Sequence, residues 1–228
     1  MYKPMKKITV LVPLFAALIG ASTARAQLII SEVDAAGSGN TNYAADWFEL
    51  KNTGSVALNI TGWRMDDSSA SAATSVALRG ITSIAPGQIV IFLEGNATGT
   101  TDATIDANFR TAWFGGSVPA GLTLANYGGS GVGLSTSGDG VNIFNASSNL
   151  VVGVSFGANV SPATFDNTAG LSGVISQLSV AGVNGAFATF NPNPSEIGSP
   201  GVVSVVPEPS TLALGSLAAT VLFLRRRK

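Results

Sequence analysis

Residues 47–52, Trp-Phe-Glu-Leu-Lys-Asn, alternate apolar and charged side chains, Phe48 and Leu50 to one side, Glu49 and Lys51 to the other. A period of two is the pattern of a strand with one face in a core and the other in water. Asn52-Thr53-Gly54 ends this strand, Leu58 and Ile60 open a second short one, and Trp63 follows the turn at Gly62. A ring of that size needs apolar neighbours. The predicted core is Phe48, Leu50, Trp63, Val90 and Phe92, facing one another across two sheets. The alternative for Trp47 and Trp63, an exposed platform for sugars, asks both rings to stay in water, and burial is the ordinary fate of such positions.

The rest of the chain continues the β pattern. Leu28 to Val33 reads as a first strand, and Asp34 to Ala45, with Gly37, Gly39, Asn40 and Asn42, as a polar loop. Asp66 to Ala73 is a second loop, Thr74 to Arg79 a strand, and Pro86-Gly87 a turn into Gln88 to Leu93, apolar enough to be buried on both faces. Ile105, Phe109 and Trp113 fall four apart, predicting a short helix with Asp102 near its start, placed to plug one end of the fold. Gly115 to Gly140 reads as a Gly- and Ser-rich loop. A hairpin follows, Val141 to Phe144 with Leu150 to Phe156. Late strands are predicted around Val174 to Leu178 and Ala186 to Phe190, and Asn191-Pro192-Asn193-Pro194 reads as the end of the folded part. No internal repeat or heptad is present.

The two ends carry signals. Lys3, Lys6 and Lys7 precede the apolar run Ile8 to Ile19, and Ala24-Arg25-Ala26 is a small-x-small site, predicting cleavage before Gln27 by signal peptidase. At the other end Val206-Pro207-Glu208-Pro209-Ser210 is followed by the uncharged run Thr211 to Leu224 and then Arg225, Arg226, Arg227 and Lys228. As a helix, that run spans roughly 21 Å against a hydrocarbon core of about 30 Å. Snorkelling of the terminal bases covers part of the difference, and their charge keeps that end in the cytoplasm.

Two resemblances rest on these residues. The Trp47 to Gly54 and Leu58 to Trp63 stretches resemble a lamin-tail domain. So do Ile30-Ser31-Glu32-Val33, Ala85 to Phe92, Gly138 to Phe144 and Gly198-Ser199-Pro200-Gly201, with Ser31 standing where bacterial members usually carry Asn. The resemblance implies an all-β, immunoglobulin-like β-sandwich with one short helix, of the kind that bacteria place on secreted and surface proteins. The C-terminal arrangement resembles the PEP-CTERM sorting signal, which implies processing near Pro-Glu-Pro by the membrane protease-transpeptidase exosortase. The expected organisation is a signal peptide (1–26), a lamin-tail domain (27–201), a linker (202–206) and a sorting signal with a short hydrophobic transmembrane helix (207–228). That helix would anchor the exported protein transiently before it reaches the cell surface or the extracellular space.

Charge and composition narrow the function. Between Gln27 and Val206 only Lys51, Arg64, Arg79 and Arg110 oppose twelve acids, a net charge of −8. Nucleic acid, whose phosphates demand a basic face, is excluded as a partner. The chain has no Cys and no His, so the core alone holds the domain, a Ser-His-Asp triad is impossible and the usual zinc ligands are missing. The Gly128 to Ser135 stretch lacks the Lys of a phosphate loop, and Thr136 breaks a dinucleotide fingerprint. Glu32, Asp46 and Glu49 could be imagined as a glycosidase pair, but the alternation sends Glu49 to solvent and nothing in the spacing selects catalysis. Asp66-Asp67-Ser68-Ser69 and Gly138-Asp139-Gly140 offer oxygens to calcium, too few for its six to eight ligands, and read as turns. Asn59, Asn96, Asn145 and Asn159 lie in glycan sequons. The expected function is a non-enzymatic structural or adhesion module without cofactor, meeting extracellular polysaccharide or other surface proteins. The alternatives are a polysaccharide- or calcium-binding module and, behind these, a hydrolase.

Overall fold

A computed structural model describes residues 28–159, 161–191 and 194–202. The expected signal peptide, with its predicted cleavage residues Ala24, Ala26 and Gln27, lies outside the described residues. So do Val206, Pro207, Glu208, Pro209, Ser210, Arg225, Arg226 and Arg227 of the sorting signal, its expected helix, and all of the linker but Val202. Among the described residues no helix is long and apolar enough to cross a membrane.

The strands are β1 (Leu28–Asp34), β2 (Trp47–Asn52), β3 (Leu58–Asn59), β4 (Arg64–Asp66), β5 (Val76–Arg79), β6 (Ser83–Ile84), β7 (Ile89–Gly95), β8 (Leu124–Gly128), β9 (Gly138–Phe144), β10 (Leu150–Gly157), β11 (Phe165–Asp166), β12 (Gly173–Ile175), β13 (Phe187–Ala188) and β14 (Ile197–Gly198). One helix, α1 (Asp102–Phe114), separates β7 from β8. Ten strands form one hydrogen-bonded succession, β11-β1-β2-β7-β8-β5-β4-β9-β10-β12, while β3 pairs with β6 and β13 with β14. The succession folds over on itself: β1 packs against β10, and the rings of Phe156 and Phe165, from opposite ends of it, lie 4.8 Å apart. The result is an immunoglobulin-like β-sandwich.

Its two flanks are closed by segments that change sheets. In β5, Val76 and Ala77 pair with β4, whereas Leu78 and Arg79 pair with β8. On the other flank, residues 173–175 pair with β10. A few residues on, Gln177 accepts from Asp166 N–H and Ser179 donates to Thr164. Sheet edges that would otherwise recruit foreign strands are thereby occupied within the chain.

Between the sheets lies the core predicted from the alternation. Phe48, Leu50, Val90 and Phe92 are fully buried and Trp63 nearly so, packed with Ile30, Met65, Tyr127, Val141 and Ile143. Phe48 stacks on Phe92 at 5.4 Å. The same strands bury their other face. Trp47, Ile91 and Leu93 meet Phe109 and Trp113 of α1 in a second apolar cluster, with Trp47 edge-on to Phe109 at 5.8 Å and to Trp113 at 6.0 Å. The helix therefore covers the outer face of β2 and β7 instead of plugging an end, because Trp47, Ile91 and Leu93 present an apolar face that the two-period pattern of Phe48 and Leu50 did not reveal. A second correction concerns the Gly-rich segment after α1. It supplies β8, parallel to β7 and central in the succession, since Leu124, Ala125 and Tyr127 are spaced for a strand despite the surrounding glycines. The helix, the Val141 hairpin, and β12 and β13 fall where the sequence placed a helix, a hairpin and late strands.

Trp63→Ala should cost about 3–5 kcal/mol, the usual range for truncating a large buried aromatic. Denaturant unfolding measures it. A loss below about 0.5 kcal/mol, typical of surface positions, would mean that the indole does not support the sandwich.

Candidate functional site

The local event that builds the site is a bulge at Ser31. The β1–β2 register runs Leu28↔Asn52 to Ile30↔Leu50 and resumes at Glu32↔Glu49, leaving Ser31 as an extra residue. A bulge reverses which residues face each side. Ile30 points into the core before it and Val33 after it, so Glu32 is carried to the outer face. There it stands in a row across three strands, with Glu49 on one side and Asp166 on the other. The alternation correctly takes Glu49 away from Phe48 and Leu50. It does not take it to solvent: Glu49 is 2% exposed and Glu32 fully buried.

What covers them is the end of the described chain. Residues 194–202 run as a strap over β11, β1 and β2. Glu32 Oε1 accepts from Ser199 N–H at 2.7 Å and from the Thr164 hydroxyl, and Oε2 from the Ser199 hydroxyl at 2.9 Å. Glu49 accepts from the Ser31 hydroxyl at 2.7 Å and from Gly201 N–H at 2.6 Å. Gly198 has no room for a side chain, since a Cβ there would come within 2.7 Å of Glu32 Oε1 and 3.0 Å of the Trp113 ring. Gly201 adopts φ 72° as it turns its amide to Glu49. Thus Gly198-Ser199-Pro200-Gly201 is a docking segment whose amides and hydroxyl face two carboxyls. The fold does not end at Asn191 to Pro194, because Thr189, Thr164 and these acids bind the chain beyond it.

One step along the strap a second acid pair closes the end of the sandwich. The Tyr43 hydroxyl lies 2.7 Å from Glu196 Oε1 and 3.2 Å from Asp34 Oδ2, and accepts from Trp47 Nε1 at 3.3 Å. Asp34 and Glu196 thus face each other across one shared hydroxyl. Burial, assisted by Asp34, pushes Glu196 up to about 9, and burial holds Asp34 above its ordinary value. Burial likewise raises Glu32 to about 7 against the pull of its Thr164 and Ser199 donors, and Glu49 to about 8 with the Glu32 charge adding to it. Asp46, 1% exposed and accepting Ser38 N–H at 2.7 Å, is raised to about 8 by burial.

The loop between β1 and β2, residues 35–46, separates two clefts at this end. One, about 290 Å³, reaches Glu196 past Asn40, Thr41 and Thr136. The other, about 470 Å³, lies between the loop and α1, with Glu94 as its one carboxylate. Glu94 accepts from the Ser38 hydroxyl at 2.9 Å. Its carboxylate occupies the space that a side chain would take at Gly129, and a Cβ at Gly133 would sit 3.2 Å from it. The glycines of the Gly128 to Ser135 stretch admit this acid; no phosphate-type loop is formed around them.

The remaining candidates are accounted for locally. Asp66 accepts from Ser71 N–H at 2.8 Å and from the Ser69 and Thr74 hydroxyls, and Asp139 accepts from the amides of Ser68 and Ser135. Both therefore order turns. Trp47 and Trp63 lie in the two cores. Of the sequons, Asn159 is 9% exposed with its amide on Ala163 O, whereas Asn59 is exposed. Tyr43, Thr164 and Glu196 were not singled out in the sequence, and Ser199 entered only within the Gly198 to Gly201 motif. That motif was their only signal.

A family model described as Lamin Tail Domain matches residues 21–158, more than half of the chain. A second, described as PEP-CTERM protein-sorting motif, matches residues 205–228. No curated protein matches the chain.

Because Glu32, Glu49, Asp46 and Glu196 hold protons in the folded state to about 7, 8, 8 and 9, against ordinary values of 4.5 for Glu and 3.8 for Asp, the native chain binds more protons than the unfolded one across that interval. Stability then falls as pH rises. Unfolding midpoints should decrease from pH 5.5 through 7 to 8.5, and midpoints that rise or stay level would mean that the strap's donors keep these acids ionised. Glu32→Ala leaves the Thr164 and Ser199 donors without their acceptor and should cost about 1–3 kcal/mol, read in the same unfolding assay.

Proposed function

The chain belongs to the lamin tail domain family and ends in an exosortase sorting motif, and from that premise we propose that its domain is a structural and adhesive module. The sorting motif makes the protein an exported one, handled by exosortase and sorted to the cell surface. The observation that carries the adhesive reading is the strap. It ties residues 196–201 to buried acids of β1 and β2 a few residues before the sorting motif, so the fold holds the chain as far as Val202.

The same geometry supports a non-catalytic domain. Glu32 and Glu49, the acids nearest to a glycosidase pair, are closed off from solvent and engaged by protein donors, whereas two-carboxylate hydrolysis needs both at an open sugar cleft. Signal peptidase would remove residues 1–26. The apolar run Thr211 to Leu224 would hold the chain in the membrane until exosortase acts near Pro207-Glu208-Pro209. The released domain would then meet extracellular polysaccharide or other surface proteins.

Intact masses of the protein recovered from cells with and without exosortase test this reading. The expected result is loss of the C-terminal run and surface location in the first, with retention of Arg225 to Lys228 and inner-membrane location in the second. If both samples keep the tail, the segment is a plain anchor and the domain works at the inner membrane.

A further inference from the structure

The cleft between α1 and the 35–46 loop is lined almost wholly by hydroxyl and amide side chains. Thr101, Thr104 and Asn108 fall on one stripe of the helix, spaced three and four apart. Ser38 and Asn42 face them from the loop, and Glu94 lies between. Ile105, partly buried against the core below, adds an apolar patch on the same stripe. Among the described residues the Thr104 hydroxyl and the Asn108 amide are exposed and take part in no hydrogen bond, so both are available to a ligand.

Each ligand class makes a different demand on such a lining. A phosphate or other anion would meet no Lys or Arg here and would sit beside the Glu94 carboxylate, the cleft's one charge. Calcium needs six to eight oxygens, several of them carboxylates, and a single acid falls short. An apolar ligand would bury the Thr104 and Asn108 side chains without a partner. A neutral polyol is the class whose groups both donate and accept, as hydroxyls and amides do, while a carboxylate accepts from two of its hydroxyls. The volume of about 470 Å³ lies within the range of small-ligand sites, about 300–1,000 Å³.

The geometry points to this cleft as a binding site for a neutral glycan, with Thr104, Asn108 and Glu94 hydrogen-bonding its hydroxyls and Ile105 under a sugar face. The assignment rests on the reading of the domain as an adhesive surface module and names the chemistry of what it adheres to. It excludes polyuronates, which the Glu94 carboxylate in the cleft repels.

The test uses the full chain in a detergent without a sugar headgroup, titrated with neutral oligosaccharides of glucose, galactose, mannose and N-acetylglucosamine, and with oligogalacturonate. Calorimetry or ligand-observed magnetic resonance reads binding. At least one neutral oligosaccharide should bind, oligogalacturonate should not, and Thr104→Ala with Asn108→Ala should weaken binding at least tenfold. The melting temperature should not change, since both side chains lack partners and Ala favours the helix. Glu94→Gln, which keeps an acceptor oxygen for Ser38, should weaken binding without a gain for oligogalacturonate above the neutral sugars. The assignment is overturned if no neutral sugar binds, if the double variant binds as well as the parent, or if oligogalacturonate binds tighter. A protein that is processed and surface-located yet binds none of these sugars loses only this inference, whereas one that keeps its tail at the inner membrane and still binds them loses the adhesive surface reading.

Discussion

Two carboxyl groups buried side by side are a strong constraint on any fold, and Glu32 and Glu49 impose it here. A carboxyl removed from water must be neutralised or surrounded by donors. The bulge at Ser31 makes the situation possible by turning Glu32 out of the apolar core. The strap makes it tolerable by supplying two amides and a hydroxyl. Gly198 and Gly201 follow from that need, one for close approach and the other for a left-handed turn. Remove the strap, and the outer face of β1 and β2 would expose a row of acids beside the Trp113 ring.

The strap joins two parts of the chain that are far apart in sequence. The lamin-tail match ends at residue 158, yet residues 164, 189 and 196–201 complete the outer layer beside α1. This layer gives the sheet of β1, β2 and β7 a cover on the side away from the sandwich core: the helix over its apolar half, the strap over its acidic half. The sorting motif, matched from residue 205, begins a few residues past Val202, whose N–H still bonds to Ser199. Val202 is thus held by the same segment that satisfies Glu32 and Glu49.

Stability without disulfides depends on a different device. The chain has no Cys, and a two-sheet domain with open flanks would present strand edges to other molecules outside the cell. Here β5 and the 173–179 segment each hydrogen-bond to both sheets. The core between them is almost entirely aliphatic and aromatic. Polar groups are kept to the outer face and the sandwich ends, where loops and the strap reach them.

Much of this was legible in the sequence. Period-two alternation located β2, the continuous apolar run β7, and four-residue spacing α1, because each pattern reports the burial of one short segment. The core residues Phe48, Leu50, Trp63, Val90 and Phe92 follow from the same patterns. The C-terminal motif speaks for export and sorting directly, since that signal is read as linear sequence. The fate of Glu49 was not legible: alternation states which side of a strand a residue takes, and only tertiary packing decides whether that side meets water. Nor was the helix's place over Trp47, or the strap over Glu32, because both depend on partners more than 60 residues away in the chain. The sequence determined the strands, their inner faces and the sorting by exosortase. The second, outer layer, and with it the burial of Glu32 and Glu49, was decided only when distant segments met across the same sheet.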